Sequence, residues 1–201
     1  MVCGYKFFTG DRLWRTHTGE IAPLWWTTLI FTHNYEHFFI PPVVVHQRTH
    51  YTQDLHYNIP SDQVIHNSLS GYMDCDGWHK SMSNFPSNCC YFPLNPQILF
   101  YDVHDIHLDD RSLDILIKHK IQLFILKAGD YVHDHPNDKI PNMKLNNLHS
   151  NERMKWTRQH VTLKSKPDHM NSVLVATWES FKLSSAAIAQ NASKKTHIPP
   201  L

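Results

Sequence analysis

A strand–helix–strand pattern in the middle of the chain restricts the possible folds more than any other feature. Two short apolar runs flank an amphipathic segment, in the order 97–101 (QILFY), 109–120 (DDRSLDILIKHK) and 121–126 (IQLFIL). The amphipathic segment begins with acidic residues and ends with basic ones, as the helix dipole favours. Its apolar stripe comprises Leu113, Leu116 and Ile117. Because two strands joined by a helix run parallel in one sheet, the pattern predicts an α/β fold.

Polar residues that could hold a metal ion follow both strands. Asp102 ends the first strand, and His104 and His107 come directly after it. Asp138 follows the second strand, in the loop 133–141 (HDHPNDKIP). Ligands of α/β proteins bind just outside the strand ends, so the two aspartates could converge on one divalent cation and support metal-assisted phosphodiester chemistry. Alternatively, each aspartate caps a helix or forms a turn, and the histidines lie on the surface.

Two apolar segments before this unit predict a β-hairpin. They are rich in β-branched and aromatic residues, a polar link joins them, and they occupy 23–32 (PLWWTTLIFT) and 38–46 (FFIPPVVVH). Apolar residues at helical spacing predict helices within 71–85 and 168–190, and the strongly polar stretch 144–160 is a further candidate helix. Loop with short extended pieces is expected over 49–70, and loop over 130–139.

The composition indicates one intracellular, soluble domain. The chain has 201 residues, of which 41% are hydrophobic, and this is enough to bury a core. Its formal net charge of +1 excludes a protein that coats nucleic acid through overall charge, so any polyanion must bind a local patch or a metal. The four cysteines form no disulfide framework, no secretory signal is evident, and no apolar run could span a bilayer.

The segment 99–138 (LFYDVHDIHLDDRSLDILIKHKIQLFILKAGDYVHDHPND) resembles the core of the DDE-superfamily endonuclease domain. This domain occurs in pogo-like and jerky-like transposases and in related centromere-binding proteins. Its pattern is a hydrophobic strand ending in Asp, then Gly-His, a second His, a helix, a strand and a Gln-Pro-x-Asp loop. The likeness extends over about residues 12–185, since 14–31 and 38–47 are similar to the family's preceding hairpin.

The resemblance implies an RNase H-like mixed sheet with flanking helices that lacks its first strand. It also implies a division into a remnant segment at 1–11, the endonuclease-like domain at 12–190 and a disordered tail at 191–201. Expected partners are DNA, with no membrane and no small-molecule substrate, and the expected location is the nucleus.

Site residues are implied position by position. Asp102 matches the family's second acidic metal ligand and Asp138 matches the third. His104 and His107 match the two histidines that follow the second ligand. Such enzymes resemble other two-metal nucleases, in which carboxylates hold Mg²⁺ or Mn²⁺ for an in-line displacement.

Three departures from the family pattern weaken the expectation of catalysis. The family's first acidic ligand lies on the opening strand in a segment like Asp-Glu-x-Gly, and no such segment precedes Trp14. Asp11, in a Gly-Asp-Arg turn, is not accepted as a replacement. Val103 stands in place of the Gly, and His135 in place of the Gln. We therefore expect little or no cleavage, and the alternatives are a DNA-binding module without catalysis and a decayed reading frame.

A basic stretch is the candidate DNA contact. Residues 155–166 (KWTRQHVTLKSK) combine one tryptophan with the cations Lys155, Arg158, Lys164 and Lys166, which could contact phosphates. A solvated helix face without a ligand is the alternative interpretation of the same residues.

Overall fold

The computed structural model of this chain is a mixed α/β structure with helices against a small mixed sheet. It describes residues 2–8, 26–33, 39–47, 58–88, 97–102, 104–126, 141–159, 167–184, 187–188 and 191. Within these ranges there are six strands, four α-helices and one short 3-10 helix. No helix within them is both long enough and apolar enough to cross a membrane.

Four strands form the larger sheet, in the order β1 (Val2–Phe8), β2 (Trp26–His33), β3 (Phe39–Gln47) and β4 (Val64–Ser68). The first three are antiparallel neighbours, which confirms the predicted hairpin as β2 and β3. Strand β4 joins β3 in parallel, inside a region predicted to be loop with short extended pieces. Strand β1 corrects the expectation that the fold lacks an opening strand. Its partner β2 follows only after a long connection, so no local hairpin signal reveals it.

The predicted strand–helix–strand unit is confirmed. Strands β5 (Gln97–Asp102) and β6 (Ile121–Leu126) pair in parallel, and a 3-10 helix (Asp105–Leu108) and α2 (Asp110–Lys118) connect them. Strand β1 contacts β5, so this pair adjoins the larger sheet on the β1 side.

Helix α2 begins at a strong capping residue. The Asp109 carboxylate accepts hydrogen bonds from the Ser112 backbone N–H at 3.1 Å and from the Ser112 hydroxyl at 2.8 Å. These hydrogen bonds, with the one from Arg111, hold the pKa of Asp109 below its ordinary value. Leu116 is buried as predicted, whereas Ile117 is 71% exposed, which corrects its place in the apolar stripe. A helix of nine residues buries only one narrow row of side chains against the sheet.

One core lies between the sheet and helix α1 (Cys75–Asn88), which confirms a helix in this region. The buried apolar residues of this core come from α1, α2 and both sheets, and include Ile30, Val43, Val45, Trp78, Met82, Phe85, Leu99, Tyr101 and Leu116. Trp78, Met82 and Phe85 recur every three or four residues, so one face of α1 is buried.

A second core covers the opposite face of β2 and β3. Helices α3 (Pro141–Gln159) and α4 (Pro167–Leu183) pack on each other, and their buried side chains meet alternate residues of the strands. Members of this core are Leu29, Phe31, Val44, Leu145, Leu174, Trp178, Phe181 and Ile188. Since successive strand residues point to opposite faces, the sheet is covered by helices on both sides.

Candidate functional site

The candidate site lies at the carboxyl end of β5. Asp102 is the last residue of β5 and pairs in register with Leu126, the last residue of β6. Both strands therefore end at the same edge of the sheet, as the sequence predicted. The side chain of Asp102 and all of Asp138 lie outside the described residues, so their convergence stays a prediction.

Two histidines lie beside this strand end. His104 precedes the 3-10 helix, is exposed, and its Nδ1 accepts a long hydrogen bond of 3.4 Å from the Ile106 backbone N–H. The His107 ring packs against Trp78, at a centroid distance of 4.3 Å, and against Tyr101, at 5.0 Å. The two imidazole centroids are 5.8 Å apart. His107 is thus oriented by an aromatic surface, while His104 faces the solvent.

Trp78 and Tyr101 are site residues that sequence reasoning missed. Each is 1% exposed. Among the described residues, the Trp78 indole N–H and the Tyr101 hydroxyl are buried without a hydrogen-bond partner. Burial also raises the pKa of Tyr101 above its ordinary value. Trp78 comes from α1, well before β5 in the chain, and the packing of α1 on the 3-10 helix brings it to His107.

The described residues supply no cluster of donors for a two-metal centre. Strand β1, which contacts β5, has the sequence VCGYKFF and carries no Asp or Glu. Within the described ranges, no three or more His, Cys, Asp or Glu side chains group as metal ligands would. Two bound Mg²⁺ ions need several shared carboxylates, and no such group lies within the part of the chain that the structure describes.

The basic stretch is partly described. Lys155 and Arg158 are exposed near the end of α3, and Lys164 and Lys166 lie outside the described residues. The Lys155 ammonium lies 2.6 Å from a carboxylate oxygen of Glu152. Helix α3 carries four basic residues and one acidic residue, so its charge is positive despite this ion pair.

Strand topology and the residues at the end of β5 are the available clues to function. No protein-family model, curated protein or solved structure matches this chain.

Proposed function

We propose that this chain is a transposase-derived domain of the DDE superfamily that binds DNA and no longer cleaves it. It would have the RNase H-like fold, act in the nucleus, and retain Asp102 and Asp138 as ligands of the ancestral Mg²⁺ or Mn²⁺ site. His104 and His107 would lie next to those ligands.

The order of the strands supports this fold. An antiparallel three-strand meander (β1, β2, β3) is followed by a parallel unit (β5, α2, β6), and β1 contacts β5. Helices cover both faces of the meander. An RNase H-like domain also opens with a three-strand meander, which is followed by a strand–helix–strand unit and helices.

The absence of an acidic residue from β1 supports the proposed loss of catalysis. In the family, the first acidic ligand lies on the opening strand and the second ends the strand that β5 matches. Here β5 ends in Asp102, but β1 has no acidic residue at any of its seven positions. In this proposal β1 takes the place of the family's opening strand, and the carboxylate is missing from it. Two remaining carboxylates would bind one divalent ion weakly and could not hold a second.

The positive charge of α3 supports the binding of DNA. Lys155 and Arg158 are exposed there, and Lys164 and Lys166 follow in the sequence. With a net charge of +1 for the whole chain, contacts to phosphates must come from such a patch. We expect modest affinity that falls steeply with salt, because counterion release drives such binding.

A plasmid-nicking assay with Mg²⁺ or Mn²⁺ tests the loss of catalysis. The wild-type protein and the Asp102→Ala variant should leave supercoiled plasmid equally intact. Cleavage by the wild type that disappears in the variant would contradict the proposal.

Fluorescence anisotropy with a labelled duplex at several salt concentrations tests DNA binding. Reversing the charges at Lys155, Arg158, Lys164 and Lys166 together should lower the slope of log K against log salt by about one for each phosphate that the variant no longer neutralises.

Lys182→Glu is the matched control, because Lys182 forms an equivalent 2.6 Å ion pair with Glu179 on α4. The assignment of this patch would be refuted if the control lowered the salt slope as much as the fourfold variant. It would also be refuted if the wild type bound DNA without salt dependence.

A further inference from the structure

A buried histidine between two charged side chains lies outside the candidate site. His66 is on β4, and its side chain is 7% exposed. Its Nε2 lies 2.7 Å from the Asp74 carboxylate, and its Nδ1 lies 3.3 Å from the Lys80 ammonium nitrogen. Asp74 precedes α1 and Lys80 lies on it, so the three side chains connect β4 with α1.

The partners fix where the proton on the His66 ring lies. A carboxylate only accepts hydrogen bonds, so Nε2–H must donate to Asp74. An ammonium group only donates, so Nδ1 must accept from Lys80 with its lone pair. The arrangement therefore requires a neutral imidazole with its proton on Nε2.

Local packing holds the ring in this orientation. The same Asp74 oxygen accepts a hydrogen bond of 2.8 Å from the Gly77 backbone N–H, and the Trp78 N–H donates to the Asp74 carbonyl at 2.9 Å. Gly77 has no side chain, and a Cβ there would lie 2.6 Å from His66 Cδ2. The His66 ring lies between the Asp74 carboxylate and the backbone of Gly77. It therefore cannot turn to present its other nitrogen to Lys80.

We propose that His66 is a proton-operated latch that holds Lys80 when neutral and releases it when protonated. When the ring takes up a second proton on acidification, Nδ1 gains it, because Nε2 already carries the first. Nδ1 then has no lone pair, and two cationic donors face each other at a distance that previously held a hydrogen bond. The imidazolium keeps Asp74 as its partner, while Lys80, an exposed residue, moves into the solvent.

Other charged groups do not compensate for this change. On β3, the residue paired with His66 is Val45, which is apolar and fully buried. On α1 and the turn before it, Asp74 and Lys80 are the charged groups within hydrogen-bond distance of the ring among the described residues. His46 is one position along β3 from Val45, so it points to the other face of the sheet.

The latch is connected to the candidate site through α1. Trp78 lies on the same helix, two residues before Lys80, and its ring contacts His107 at the end of β5. Lys80 and the residue that contacts His107 therefore lie on one helix.

Nuclear magnetic resonance of the whole chain tests the latch. At pH 8, the nitrogen shifts of His66 should show the Nε2–H tautomer, and the Lys80 ammonium should have a higher order parameter than that of Lys118, an exposed lysine on α2. On acidification, the Lys80 order parameter should fall to the value of Lys118 over the interval in which the His66 ring signals shift, while Lys118 stays unchanged.

Two variants sharpen the experiment. Lys80→Met removes the cation and should leave the Nε2–H tautomer intact, while His66→Gln should abolish the pH response of Lys80. An Nδ1–H tautomer at pH 8 would overturn the proposal, and so would a Lys80 order parameter that does not follow His66. The wild-type measurement decides the matter even if a variant fails to fold.

Discussion

The buried His149 should make this protein sensitive to mild acid. His149 lies on α3, one turn after the fully buried Leu145, and is 6% exposed. Desolvation lowers the pKa of His149 from 6.5 to about 4, because the charged imidazolium would lose its hydration in the core. In the unfolded chain, the same side chain is solvated and takes up a proton near pH 6.5.

The sign and size of the effect follow from linkage. Above pH 6.5 both states are neutral at this position, and the free energy of unfolding does not depend on it. Between pH 6.5 and 4 the unfolded state binds more protons, so the free energy of unfolding decreases as the pH is lowered. The decrease is about 2 kcal/mol at pH 5 and about 3 kcal/mol below pH 4. The loss is complete once the folded protein also binds the proton.

Urea denaturation at pH 7.5 and pH 5 measures this effect. The wild type should lose about 2 kcal/mol more of its unfolding free energy than the His149→Gln variant, because carboxylate titrations are common to both. His104→Gln, at an exposed site, is the control and should lose as much as the wild type. Equal losses by the wild type and His149→Gln would refute the reasoning.

Three further predictions concern stability, each measured by thermal or urea unfolding. Gly77→Ala should lower the free energy of unfolding by about 1–3 kcal/mol, because the new Cβ would lie 2.6 Å from both His66 and Met73. Ser83→Ala, on the exposed side of α1, is the control. A Gly77→Ala variant as stable as the wild type would contradict the close packing. Leu116→Ala should lower the free energy of unfolding by about 2–5 kcal/mol, and Ile117→Ala should lower it by at most about 0.5 kcal/mol. Similar losses in the two variants would mean that α2 packs on the sheet through a different face. Asp109→Ala should destabilise α2 by removing its cap, and unchanged stability would exclude that role.

Sequence patterns predicted the elements that are formed by residues close together in the chain. The unit of β5, α2 and β6 was predicted closely, because its apolar runs are short and a charged cap opens its helix. The β2–β3 hairpin was predicted for the same reason, since its strands are dense in β-branched residues.

Elements that depend on distant partners were missed, as β1 was, or anticipated only as an unplaced extended piece, as β4 was. Strand β1 pairs with β2 across a long connection, and β4 is a five-residue strand that gains its partner β3 only through the tertiary fold. Ile117 was assigned to the core because helical spacing alone does not tell which edge of a stripe reaches the sheet.

The candidate site was predictable only in part. The position of Asp102 at a strand end follows from the pattern, and the structure has it there. The aromatic contacts of His107 could not be predicted, because Trp78 reaches it from another helix. The same holds for the His66 cluster, whose members approach one another only when α1 packs on β4.

In the proposed function, Asp102 and Asp138 are the remnant of one metal site beyond the ends of β5 and β6. Paramagnetic broadening by Mn²⁺, added up to millimolar concentration, tests it most directly. We predict that the backbone amide signals of residues 102–107 and 137–139 broaden together, and that Asp102→Ala abolishes both effects. Broadening of only one segment, or of neither, would contradict the account.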